Sequence, residues 1–418
     1  MNSKTYEQQA TTAGIMTTVG STIGLAFGPS VIAVLTVSPF LQPIEQEFGW
    51  TRVQSSLAIT IVSYMVVLMS PLQGLLADRF GPRRVILTSI PLFALGLAAF
   101  YFLPNSLFLY YALWTLIPLL AVGLWPIAYL QAVTHWFDRK LGLALGCANA
   151  GIGVGTFIVP LIITGIMAVY DWRMAFLGLA AVVLVISWPA VFFLVREPSK
   201  TDHMAEHRAA QKAFGIPFRD AVRMPTFYIL NVAFFLLGLT ATSLVTQQSP
   251  LLVESGRTAV EAGVIVSIFG FGLLIARIFV GFIIDHIFAP RVMTLVSIGG
   301  AVSCVLYAAY PQAAIVSAIL LGLLLGAEFD VLAFMIKRYF GNVAYGRLYG
   351  VIFGVFYLGS GLGIAALSAS HDSFGNYDAG LYLAAGVLVV ASLIAFLLPR
   401  YRYAPGDDFV GNVEPVEA

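Results

Sequence analysis

Three ionisable side chains stand inside apolar stretches where charge is expensive: Arg277 in GLLIARIFVGFIID (272–285), and Glu328 and Asp330 in GAEFDVLAFMIKRYF (326–340). A guanidinium is a planar fork of donors that keeps its charge in proteins and can hold a carboxylate through two parallel bonds. A carboxyl taken out of water favours its neutral form, whereas a neighbouring arginine favours the ionised one. Arginine and acid together can thus bind an anion and exchange a proton with it. The other use of the same groups is a structural ion pair that braces the fold, or a neutral, hydrogen-bonded packing acid.

Such residues need elements that carry them into an apolar medium, and the composition supplies these. Of 418 residues 59% are hydrophobic and 10% charged, against about 25% charged in soluble domains, and the mean hydropathy is +0.90. The chain is therefore read as a polytopic, all-α membrane protein embedded in the lipid bilayer. Twelve apolar runs are long enough to cross a hydrocarbon core of roughly 30 Å: 14–40, 52–76, 84–103, 107–135, 141–168, 173–195, 226–252, 259–284, 291–310, 313–337, 346–369 and 379–398. The longest polar segment divides them, giving an N-terminal six-helix half (1–195), a linker (196–225), a C-terminal six-helix half (226–400) and a tail (401–418). On this map 18 of the 22 lysines and arginines fall on one side. Positive loops stay cytoplasmic, so the linker and both termini are expected there. The N-terminus lacks the apolar region and cleavage site of a secretory signal, and the first span is expected to remain in the mature protein.

Depth follows from the helical rise. Residues 277 to 285 span about 12 Å and residues 328 to 337 about 13 Å, so Arg277 and Glu328 lie level, near the midplane. An arginine there costs at least about 2.5–3.5 kcal/mol and normally faces a cavity or a partner. Glu328 and Asp330 are two positions apart, roughly 200° of helix, so one is expected to titrate while the other braces the tenth span, with Lys337 as a candidate partner for Asp330. Aromatic and amide residues taken to lie at similar depth, Tyr64, Trp125, Tyr129, Asn149, Gln247, Gln248 and Tyr357, are candidates to complete a substrate pocket or, equally, core residues.

The two halves repeat. Gly74, Asp78 and Arg84 of GLLADRFGPRR recur as Gly281, Asp285 and Arg291 of GFIIDHIFAPR, and GLWPIAYLQAVTHWF (123–137) is echoed by GAEFDVLAFMIKRYF (326–340). Parallel six-helix repeats place substrate between the halves at the midplane. The loop after the second span, with Gly74, Asp78, Arg79, Gly81, Arg83 and Arg84, resembles the signature of the major facilitator superfamily; the second copy departs from it at His286 and Phe288. These loops are read as a conformational latch, in which Asp78 caps a helix end or pairs with arginine. Within that superfamily GLAFGPSVIAVLTVSPFLQPIEQEFGWTR, WFDRKLGLALGCANAGIGVG and the A-R-x-x-x-G of the eighth span look most like the bacterial monocarboxylate-porter branch, related to oxalate/formate antiporters and animal monocarboxylate transporters. The resemblance implies the major facilitator fold, and a small organic carboxylate bound at Arg277. Two features of those relatives are missing: the acid one turn before the arginine is Leu273 here, and neither 14–40 nor 346–369 holds a lysine.

The net charge of +1 offers no field for nucleic acid. Cys147 and Cys304 show no metal-ligand spacing, and no nucleotide-binding loop or nucleophile elbow is present, so no enzyme activity, metal or cofactor is expected. The glycines of GLALGCANAGIGVG and Gly346, Gly350 and Gly354 are read as sites of close helix packing. The expectation is a secondary transporter of the plasma (inner) membrane, working as a monomer and moving a monocarboxylate with a proton. An efflux carrier for cationic or amphipathic compounds, and a membrane sensor that moves nothing, are the alternatives.

Overall fold

The computed structural model describes residues 3–36, 38–137, 140–197 and 214–403. Most of the linker, Arg139 and the end of the tail thus lie outside the described residues. Eleven helices among those described are long and apolar enough to cross a membrane. The first crossing is α1 (Ser3–Ala26) continued by a π-helical turn, Ser30–Leu35, and a short helix α2 (Ser38–Phe48) follows it. The second and third crossings are α3 (Arg52–Phe80) and α4 (Pro82–Ala99). A capping box of Thr51 and Gln54 starts α3, and Gly81 at φ +86° ends it, a conformation open to glycine but strained for other residues. Pro82 then opens α4, at the one helical position where its missing N–H costs nothing.

The fourth crossing departs from the sequence expectation of one run over 107–135. It is α5 (Leu107–Leu120) and α6 (Pro126–Thr134) with a turn between them. Pro126 has no N–H for the preceding turn and its ring collides with a continuing helix. Gly123 in the break donates its N–H to Ser89 Oγ at 3.0 Å. Next come α7 (Leu141–Met167) and a sixth crossing of α8 (Trp172–Val182), a π-helical turn and α9 (Trp188–Leu194).

After a four-residue helix, α10 (Phe218–Ala221), the second six crossings are α11 (Pro225–Glu254), α12 (Ala259–Ile284), α13 (Ala289–Ala309), α14 (Ala314–Phe340), α15 (Tyr345–Phe374) and α16 (Asp378–Phe396). The limits of α12 match the sequence reading because a Thr258–Glu261 capping box starts the helix.

Two helix pairs make the most extensive contacts between the halves, α3 with α15 and α7 with α12. Both approach through glycine at the end where α3 and α12 finish. A Cβ at Gly74 would lie 1.9 Å from the Gly346 carbonyl oxygen, and one at Gly142 would lie 2.2 Å from that of Gly281. The internal repeat thus produces the same contact twice. Toward the opposite ends of α7 and α12 the crowding disappears: added Cβ atoms at Gly165, Gly263 and Gly270 would meet nothing within 4 Å. Gly146 tests the packing, since its Cβ would sit 2.1 Å from the Arg277 carbonyl oxygen. Gly146→Val should cost about 1–3 kcal/mol of overpacking, borne by the closed arrangement of α7 and α12. The expected readout is faster cysteine labelling at the α7–α12 seam with normal amounts of protein in the membrane.

Candidate functional site

Arg277 is 4% exposed, and its Nε and Nη1 have no hydrogen-bond partner among the described residues. No ion pair of 4.0 Å or less involves it there. Glu328 is 5% exposed with Oε2 unpartnered, and Asp330 is fully buried. Both acids lie within electrostatic range of Arg277, but their surroundings differ. Asp330 Oδ1 accepts a bond from Asn149 Nδ2, linking α14 to α7 of the other half. Glu328 instead shares the neighbourhood of Arg277 with Tyr357 of α15. Both acids thus feel Arg277, and what separates them is the bond that Asp330 alone makes across the interface.

Lys337 does not brace Asp330, as the seven-residue spacing had allowed. Its Nζ donates to the carbonyls of Thr134 (2.7 Å) and Phe137 (2.5 Å) at the end of α6. A helix C-terminus has carbonyls without intrahelical partners and a partial negative charge, and it lies close enough to take the ammonium.

The pocket candidates separate by depth. Residues 277 to 284 of α12 span about 11 Å from the helix end, whereas residues 225 to 247 of α11 span about 33 Å. Gln247 and Gln248 are therefore at the far end of the bundle, not level with Arg277. Gln247 donates to Ser368 (3.1 Å) and accepts from Tyr377 (3.2 Å), and Gln248 donates to Tyr307 (2.7 Å). Tyr64 is 54% exposed beside Gly361 and about 24 Å along α3 from Phe80, so it also leaves the arginine's level. Trp125 and Tyr129 are buried at α6, Trp125 Nε1 and Tyr129 OH are unpartnered, and the Tyr129 ring covers Gly24 of α1. Asn149 and Tyr357 lie near Arg277 through Asp330 and Glu328 respectively.

Sequence reasoning missed Tyr349, a buried residue of α15 within electrostatic range of Arg277, Asp330 and Tyr357. A signal existed: Tyr345, Tyr349, Phe353 and Tyr357 recur every four residues, and successive rings are 6.0, 5.8 and 4.9 Å apart. Their i, i+4 spacing puts them on one face of α15.

The Gly-Asp loops meet helix N-termini of the opposite half. Asp78 Oδ1 accepts from Gly346 N (2.9 Å) and Gln131 Nε2 (2.9 Å), and Oδ2 accepts from Arg347 N (3.0 Å) and Arg347 Nε (3.1 Å). Asp285 accepts from Gly142 N (2.6 Å) and Leu143 N (3.0 Å). Burial raises the Asp285 carboxyl above its ordinary value, while those two N–H groups oppose the rise. Each carboxylate caps the first turn of a helix, where free N–H groups and the helix dipole favour negative charge. The loop arginines turn elsewhere. Arg79 lies over Phe80, Arg83 donates to the Phe192 carbonyl (2.7 Å), Arg84 is exposed and Arg291 lies over Phe288.

The chain is similar to known proteins. An oxalate:formate antiporter of Oxalobacter formigenes is 26% identical over 375 residues, 86% of each chain. Monocarboxylate transporter 13 of Rattus norvegicus is 25% identical over 346 residues, 79% of this chain and 77% of that one. A crystal structure of the E. coli fucose:proton symporter superposes with a TM-score of 0.70 at 16% identity, covering 93% of this chain and 98% of that one. The sequence model of the Major Facilitator Superfamily matches residues 23–258 and 248–414. With two six-helix halves tied at one end by repeated carboxylate caps, the chain is a multi-pass membrane transporter, not an enzyme, and it belongs to the Major Facilitator Superfamily.

Proposed function

We propose that this transporter carries small monocarboxylates together with a proton. Alternating access comes from rocking of the halves 1–195 and 226–400 in a monomer of the plasma (inner) membrane. The observation that carries the reading is Arg277, buried near mid-depth with guanidinium N–H groups that no described residue satisfies. A buried charge left so is costly unless a ligand completes it. A carboxylate meets the fork bidentately, and the oxalate:formate and monocarboxylate relatives support that choice. One deep arginine neutralises one anionic charge, which favours monoanions over dicarboxylates.

Glu328 and Asp330 each keep one oxygen that no described residue satisfies, Oε2 and Oδ2, and Glu328 is the proposed proton carrier because Asp330 is engaged as a rung between the halves through Asn149. Uptake of radiolabelled lactate, benzoate and longer acids into proteoliposomes should accelerate under an inward proton gradient, and absence of uptake for every acid would sink the reading. Glu328→Gln should lose that acceleration, and Asp330→Asn should keep it. The reverse pattern would exchange the roles.

The sidedness belongs to the same proposal, with the Asp78 and Asp285 caps on the cytoplasmic face, a placement that the 18 basic residues on that side support. Cysteines at Ser199, outside the described residues, and at Ser255 should label from opposite sides. External labelling of both in intact cells would overturn this orientation.

A further inference from the structure

The deep ionisable groups do not balance in number. Arg277 stands against two acids, Glu328 and Asp330, so an anion arriving while both acids are ionised adds a negative charge to a cluster with one already in excess. A proton on Glu328 relieves this. A cation carried by the substrate itself would relieve it equally. The protein supplies both ends of such a contact on different helices: guanidinium donors on α12 and, on α14, Oε2 of Glu328 and Oδ2 of Asp330, none satisfied by a described residue, with Asp330 already tied to Asn149. The two groups lie within electrostatic range yet form no ion pair of 4.0 Å or less.

The chargeable groups in electrostatic contact with Glu328 are Arg277 from α12, Asp330 from its own helix and Tyr357 from α15, so no second cation among the described residues competes for the acid. Tyr357 also brings an aromatic cluster near the pair. Phe329, between the acids, packs at 5.0 Å against both Phe353 and Phe356 of α15, and Phe353 packs against Tyr357 at 4.9 Å. Aromatic faces attract ammonium groups, most strongly where water is excluded.

We infer that the site also accepts zwitterionic ammonium carboxylates, with the carboxylate on Arg277 and the ammonium on Glu328, and that these cross without a coupled proton. The inference rests on the carboxylate reading of Arg277 and extends it. Cargo of net charge zero then describes both cases: a monoanion plus a proton, or a zwitterion alone.

Isosteric pairs test it in proteoliposomes holding the full chain. Glycine betaine and 3,3-dimethylbutanoate differ only in nitrogen for carbon, as do 3-aminopropanoate and butanoate. Wild-type protein should take up at least one ammonium member, with a rate changed less than twofold by an imposed pH gradient, while its anionic carbon twin is accelerated several-fold. Glu328→Gln should lower the ammonium-to-carbon uptake ratio at least tenfold, and Glu328→Asp should restore part of it. Uptake of the carbon twins alone overturns the inference and leaves the carboxylate reading standing. Equal proton dependence for both members of a pair also overturns it. Uptake of none of the four counts against both readings.

Discussion

Replacing Arg277 with lysine should lower carboxylate transport about 10- to 100-fold while leaving a folded protein. The substitution keeps a positive charge at the same depth, so the membrane cost and the long-range attraction to Glu328 and Asp330 persist. What disappears is the pair of parallel donors, and a hydrogen bond to a charged group is worth about 1.5–3 kcal/mol. Every 1.4 kcal/mol is about tenfold in affinity. Initial uptake rates over a range of substrate concentrations, with thermal unfolding of the detergent-solubilised variant as the control for folding, make the measurement. Normal transport by the lysine variant would remove the clamp from the mechanism.

The second large effect is expected at the opposite end of the charge network. Asp78 and Asp285 each hold the first turn of a helix from the other half, through three bonds and two bonds respectively, and Asp78 takes a fourth from Gln131 of its own half. Asparagine at either place removes the charge and half of the acceptor capacity. A charged cap at a helix N-terminus contributes about 0.3–1 kcal/mol through the dipole alone, and each charged bond more. Asp78→Asn with Asp285→Asn should therefore shift the conformational equilibrium by on the order of 100-fold toward the state open at that end. The shift would be read as increased alkylation of a cysteine placed at Asn149, which the closed seam buries. Each single variant should produce a smaller shift of the same sign, because the repeat builds the cap twice. Unchanged accessibility in the double variant would show that the glycine contacts and Lys337 hold the halves together without the carboxylates.

The crossing limits were legible because membrane helices announce themselves locally. Apolar length, the capping boxes and the Gly-Asp loops are properties of neighbouring residues, and α12 starts and ends where the sequence places it. The broken fourth crossing was less visible, since Pro126 falls inside a run whose hydropathy continues through it. Arg277 announced itself by composition alone, as a single guanidinium in an apolar helix.

Composition, period and repeat therefore determined the membrane class, the two six-helix halves, the presence of three ionisable residues inside apolar helices and the carboxylates of both caps. Partner choice was decided only in three dimensions. Asp330 finds Asn149 across 181 residues and Lys337 finds the end of α6 across 203, and no period encodes a contact between helices so far apart in sequence. Which of two acids two positions apart is tied across the interface depends on how closely α7 and α12 approach, and that approach is set by glycines against backbone oxygens. The misplacement of Gln247 and Gln248 has the same origin. Sequence gives a residue's distance along its own helix, but the level of one helix against another is fixed by packing.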